Sequence, residues 1–155
     1  MMRGMAEGGL QSLDLTIPSE VGRLAELRQF VRQSSAAFGV GRPATDDMVQ
    51  AVDECATNVI VHGYRGAGGE LHVEVERTDD ELVVRLGDQA PAFDPTSVPE
   101  PDLELPLERR PPGGMGVHLA RRLTDAMHYR RTGRGNELTL IKEVTEGSQH
   151  ADDQR

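Results

Sequence analysis

Three groups of residues in this chain have types and spacings suited to chemistry. Glu54 and Asn58 are four positions apart, so on a helix they project from one face. An Asn amide oxygen suits a hard cation such as Mg²⁺, which keeps most of its waters and takes one or two protein ligands beside phosphate oxygens. A carboxylate one turn earlier could orient or deprotonate a nucleophile attacking a γ-phosphate. Asp88 follows an apolar run and precedes a loop, where a rigidly held carboxylate could accept a hydrogen bond from an exocyclic amine such as adenine N6. Gly113-Gly114-Met115-Gly116 leads into a periodic segment. Glycines there let phosphates approach the unpaired N–H groups of a helix start, and the helix dipole favours the anion. Each group alone has a plain structural reading: an exposed Glu beside a locally bonded Asn, a turn Asp, a glycine hinge. Their order and spacing together are those of one class of ATP site.

Other chemistries are excluded by what the chain lacks. There is no Gly-x-x-x-x-Gly-Lys-Ser/Thr and no glycine-rich loop before a lysine-bearing strand, so neither a Walker-type site nor a eukaryotic-type kinase is expected. His72, His118, His128 and His150 have no ligand spacing, and His62 reads as a helix-end residue complementing the dipole. A formal net charge of −9 argues against a nucleic-acid backbone binder. The one cysteine, Cys55, cannot form an internal disulfide and reads as a small buried residue. No stretch approaches the ~18 apolar residues of a membrane span, and the opening residues lack the apolar block of a signal peptide. A cytoplasmic domain without membrane or direct nucleic-acid contact is expected.

The elements that must position these groups can be read from periodicity. Leu10–Ile17 alternates as a strand, Ser19 is a candidate N-cap with Glu20 in the first turn, and a helix follows with Val21, Leu24, Leu27, Val31 and Phe38 near one face. Gly39 stops it. Thr45 or Asp46 caps a second helix whose stripe is Met48, Val52, Cys55 and Val59, ending at Gly63. Leu71–Val75 and Glu81–Leu86 form a hairpin through Thr78-Asp79-Asp80. Residues 89–112 hold seven of the nine prolines and read as a long loop. A third helix begins near Gly116 with Val117, Ala120, Leu123, Thr124 and Met127 inward, and two last strands, around Tyr129 and over Leu138–Val144, turn through Gly133–Gly135. This order departs from the alternation of a doubly wound sheet. It gives an α/β two-layer sandwich, a mixed, mostly antiparallel sheet covered on one face by helices. The domain spans 10–146, between tails at 1–9 and 147–155.

Four ordered boxes carry a resemblance: Asp53-Glu54-Cys-Ala-Thr-Asn58 with His62-Gly63-Tyr64; Asp88-Gln-Ala90-Pro-Ala-Phe93-Asp94-Pro95; Gly113-Gly-Met-Gly116-Val117 through Asp125; and Gly135-Asn136-Glu-Leu-Thr-Leu-Ile-Lys142. They resemble the GHKL (Bergerat-fold) ATP-binding domain and, more narrowly, the anti-sigma factor serine/threonine kinases of bacterial partner-switching systems. The resemblance implies that Glu54 is the general base and that Asn58 holds Mg²⁺. ATP would be bound by Asn58, Asp88, Ala90, Phe93, Gly113, Gly114, Met115, Gly116, Val117 and Asn136, with Asp88 on the adenine and Gly113, Gly114 and Gly116 on the phosphates, under a lid at about 94–112. It also implies a STAS-fold anti-anti-sigma factor as phosphorylation target, a sigma factor as sequestered partner, and a homodimer. Two residues depart from the pattern: Ala90 replaces a glycine, and Asn136 stands where the superfamily often has Thr. A non-catalytic nucleotide-binding module that regulates a partner by stoichiometric binding is the alternative.

Overall fold

Segments of period two become five strands, and segments of period near 3.6 become three helices. A computed structural model describes residues 11–97, 102, 104–109 and 114–144. In chain order these hold β1 (Gln11–Pro18), α1 (Leu24–Ala37), α2 (Arg42–Asn58), β2 (Glu70–Arg77), β3 (Glu81–Asp88), α3 (Gly114–Leu123), β4 (Ala126–Arg131) and β5 (Asn136–Glu143). The sheet order is β1-β2-β3-β5-β4, and all four pairings are antiparallel. The helices cover one face, giving the expected two-layer α/β sandwich. The expected tails at 1–9 and 147–155, and part of the 94–112 lid, lie outside the described residues.

Alternation decides which side chains meet the helices. Ile17, Leu71, Val73, Val75, Leu82, Val84, Leu86 and Leu140 point inward and are almost fully buried against Leu27, Val31, Met48 and Val52 of α1 and α2. Each such aliphatic side chain contributes about 1.5–3 kcal/mol when it leaves water. On the opposite face, Arg85 of β3 lies between Glu74 and Glu76 of β2, at 2.8 and 3.0 Å. This polar face keeps the register from slipping, because a one-residue shift would drive these charges into the core.

The helix starts differ from those expected. A 3₁₀ turn over Val21–Arg23 precedes α1, so Ser19 caps nothing, its hydroxyl is buried without a partner, and Val21 is 60% exposed. α2 begins three residues before Thr45, with Gly41 at its N-cap and a proline in its first turn. Proline is preorganised for that turn, where its missing N–H is no loss. Thr45 is buried inside the helix. The stops agree with expectation. Gly39 takes φ +77° after α1, and Arg77 Nη1 donates to the Phe38 carbonyl at 2.9 Å. α3 begins at Gly114 and ends at Leu123, so Met127 belongs to β4. Lys142 of β5 closes the C-terminal end of α3, donating to Leu123 O and to Asp47 Oδ2, both at 2.9 Å. Among the described residues no helix is long and apolar enough to cross a membrane.

Candidate functional site

The end of α2 carries the acid–amide pair. Its buried stripe, Met48-Val52-Cys55, packs on the core and leaves Glu54 and Asn58 on the flank that faces α3. Gln50 Nε2 donates to Glu54 Oε1 at 3.3 Å, which steadies the carboxylate one turn above. Gly116 of α3 comes so close that a Cβ there would lie 2.7 Å from Glu54 Oε2 and 3.7 Å from Asn58 Nδ2. The glycine thus allows α3 to dock on the pair. Asn58 is 8% exposed, and its Nδ2 has no hydrogen-bond partner. The two ends of an amide exchange by rotation, so this side chain can turn an oxygen into the gap beside Gly116. A buried, uncommitted amide next to a carboxylate fits a single-oxygen Mg²⁺ ligand of the kind expected. Among the described residues no cluster of His, Cys, Asp or Glu forms a metal cage.

Directly after Asn58 the helix widens into one π turn, Val59–Gly63, closed by Tyr64 N–H donating to Val59 O at 2.8 Å. Single π turns interrupt helices at functional sites, and this one presents Gly63 to Ala90. A Cβ on Gly63 would lie 3.3 Å from the Ala90 methyl, so the methyl occupies space that the glycine leaves. Ala90 is 2% exposed; the departure from glycine at this position is accommodated by packing. Tyr64 ties the π turn to the sheet. Its hydroxyl donates to Glu70 O at 2.8 Å and accepts from Gln89 N–H at 2.7 Å, next to Asp88.

Asp88 is the last residue of β3 and faces the helices, opposite Asn136, the first residue of β5. Asp88 Oδ1 accepts from Ala90 N–H at 2.9 Å and from Asn136 Nδ2 at 2.8 Å. Its Oδ2 accepts no hydrogen bond from the described residues. Asn136 Nδ2 is also within reach of Ala90 O and Pro91 O, at 3.1 and 3.2 Å. Its Oδ1 accepts from Tyr129 Oη, from Phe93 N–H at 3.3 Å and from Arg131 Nη1 at 3.4 Å. Three acceptors on one side and three donors on the other fix which end of the amide is which. Both ends are committed within the protein, and Asn136 is 6% exposed. These partners occupy the donor and acceptor capacity of the Asn136 amide.

Asn58, Asp88, Ala90, Phe93 and Asn136 therefore line one narrow cavity, of about 20 Å³, floored by Cys55 and Leu138. Burial first, and the nearby Glu54 charge second, push the Cys55 thiol up to about 12. It is accordingly neutral and unreactive, a packing residue as expected. Phe93 is partly exposed at the rim, and Val117 is buried on α3 away from the cavity lining. Gly113 and the side chain of Met115 lie outside the described residues. Tyr129 and Arg131, which the sequence reading did not include, complete the Asn136 network; Arg131 also donates to Ala90 O at 3.1 Å. The alternation of β4 puts both on the inward face, but it is the pairing of Arg131 with Asn136 across the β4–β5 register that brings them to the amide. Arg121 of α3 donates to Pro95 O and Thr96 O, joining α3 to the loop that leaves the cavity.

Comparison with known proteins gives the same architecture a family. Serine/threonine-protein kinase BtrW of Bordetella bronchiseptica is 33% identical over 89 residues, covering 57% of this chain and 63% of that protein. Serine-protein kinase RsbW of Bacillus cereus is 25% identical over 119 residues, 74% of each chain. A crystal structure of the RsbU and RsbW domains of a Mycobacterium tuberculosis protein shares the fold, with a TM-score of 0.63 at 18% identity, over 86% of this chain and 32% of that one. The family model of the histidine kinase-like ATPase domain matches residues 17–142, from the end of β1 to Lys142, and the chain belongs to that family.

Proposed function

We propose that this chain is an ATP-dependent protein serine/threonine kinase that acts as an anti-sigma factor. In this reading it works in the cytoplasm as a homodimer, sequesters a sigma factor, and phosphorylates a STAS-fold anti-anti-sigma factor. The observation that carries the proposal is the meeting of α2 and α3 at Gly116: a glycine-opened helix end abuts both Glu54 and Asn58. That places a carboxylate, an uncommitted amide and the positive end of a helix around one small space. The kinase names of the relatives BtrW and RsbW support the reaction class.

Asp88 Oδ2 accepts a hydrogen bond from the adenine 6-amino group, and the N–H groups opening α3 hold phosphate oxygens. Asn58 holds Mg²⁺, which when bound neutralises phosphate charge. Glu54 accepts the proton of the attacking Ser or Thr hydroxyl as its oxygen bonds the γ-phosphorus and the bond to the ADP oxygen breaks. The deciding experiment gives the protein, purified with its natural partners, Mg²⁺ and γ-labelled ATP. Wild type is expected to label a small co-purifying protein. Glu54→Gln is expected to bind ATP normally and to lose about 10²–10⁴-fold in transfer, the usual worth of general base catalysis. A fully active Glu54→Gln removes Glu54 from the base role. Wild type that holds ATP and its partners without transfer supports the non-catalytic module instead.

A further inference from the structure

Asp88 can read an exocyclic amine only if its carboxylate is held with one oxygen turned to the ligand. The backbone does part of this through Ala90 N–H, at 2.9 Å from Oδ1. The rest comes from across the sheet. Asn136 pairs with Asp88 in the β3–β5 register, and its Nδ2 donates to the same Oδ1 at 2.8 Å. Two donors on one oxygen leave the other for a ligand. A carboxylate with both donors on Oδ1 is fixed in rotation as well as position.

The amide that does this is itself held on every side. Gly135 lets β5 approach Asp88 so closely that a Cβ there would lie 1.7 Å from the Asp88 carbonyl oxygen. Tyr129 Oη, Phe93 N–H and Arg131 Nη1 converge on Asn136 Oδ1, and that convergence forces Nδ2 toward Asp88. Threonine, the residue more often found here in the superfamily, has one hydroxyl and could not bridge three donors to three acceptors.

We infer that Asn136 is a positioning residue that sets adenine specificity: by locking Asp88 Oδ1 it aims Oδ2 at the exocyclic amine, without touching the nucleotide itself. The inference rests on the adenine role proposed for Asp88. It also gives Tyr129 and Arg131 a purpose in recognition, as the groups that hold Asn136.

The test compares the binding of ATP with that of purine riboside triphosphate, which lacks only the 6-amino group. Wild type is expected to prefer ATP by about tenfold, the worth of one hydrogen bond to a charged acceptor, and Asp88→Asn to lose that preference. Wild type that binds both nucleotides equally, or Asp88→Asn that keeps the preference, overturns the adenine role of Asp88 and the inference with it. Once that role stands, Asn136→Asp decides. It is isosteric, but it sets a carboxylate oxygen against Asp88 Oδ1, and two carboxylates so close share one proton. The preference is expected to collapse at about pH 8 and to return toward about pH 5, where a shared proton restores the bridge. Arg131 and Tyr129 are the other ionisable groups contacting Asn136 among the described residues, so both nucleotides are compared with wild type at each pH. Tyr129→Phe, which removes one donor from Asn136 Oδ1, is expected to weaken ATP binding more than analogue binding, and it decides the matter if Asn136→Asp does not fold. Equal weakening for both nucleotides, or an unchanged ratio at about pH 8, would overturn the inference and leave Asn136 a purely structural residue.

Discussion

Gly116 separates what stability needs from what chemistry needs. A methyl there first meets the far end of the flexible Glu54 side chain, 2.7 Å from Oε2, and then Asn58 Nδ2 at 3.7 Å. The fold can therefore accept Gly116→Ala by turning Glu54 aside. Alanine also favours a helix over glycine by about 1 kcal/mol. The expected outcome is a melting temperature equal to or above that of wild type, with transfer lowered by tenfold or more, about the cost of misplacing a general base. Unchanged transfer in a well-folded Gly116→Ala would mean that Glu54 does not need its present position. Ala90 is the opposite case. Its methyl fills space beside Gly63, so Ala90→Gly should cost about 1 kcal/mol of stability in a urea titration. Restoring the family's glycine would then add freedom at the cavity wall, not repair a defect.

At the scale of elements, the β4–β5 hairpin is where the site and the fold share one constraint. Thr132 N–H donates to Gly135 O at 2.8 Å, and Gly135 N–H to Thr132 Oγ1 at 2.9 Å, which closes the turn that delivers Asn136 to Asp88. A Cβ on Gly135 would strike the Asp88 backbone, which has no side-chain freedom with which to yield. Gly135→Ala is expected to cost about 2–3 kcal/mol, the usual price of forced overpacking, and to shift the urea midpoint with it. A wild-type midpoint would show that β5 can slide away from β3. The same hairpin marks the limit of what was legible in the sequence. Periodicity located all five strands, Gly39 as a stop, and the hairpin turn at Thr78. It misplaced the starts of α1 and α2 in opposite senses: Val21 sits at helical spacing from Leu24 although it lies in a 3₁₀ turn, and the proline in the first turn of α2 looks like loop. The shared face of Glu54 and Asn58 was legible because they stand four residues apart on a helix, and the position of Asp88 because it ends an apolar strand. Tyr129 and Arg131 were not, because their importance arises only when two strands pair and bring them to an amide on the neighbouring strand.

Across the whole molecule, the floor of the cavity is also part of the core: Cys55 and Leu138 line the one and belong to the other. Ligand binding and global stability must therefore rise and fall together. A nucleotide at about 100 times its Kd would add about 2.7 kcal/mol to the folded state. The thiol of Cys55 gives a probe of that shared layer. Burial, reinforced by the Glu54 charge, raises it from 9.0 to about 12. In the unfolded chain it ionises near its ordinary value, whereas in the folded chain it keeps its proton. Between those two values the unfolded state binds fewer protons, so stability must fall as pH rises through that window, and below it the thiol adds no pH dependence. Urea midpoints at about pH 8 and about pH 10.5 should therefore drop for wild type and drop less for Cys55→Ala, from which this proton is missing. Equal drops in the two proteins would mean that the thiolate is tolerated in place, and that the layer between cavity and core is open to water.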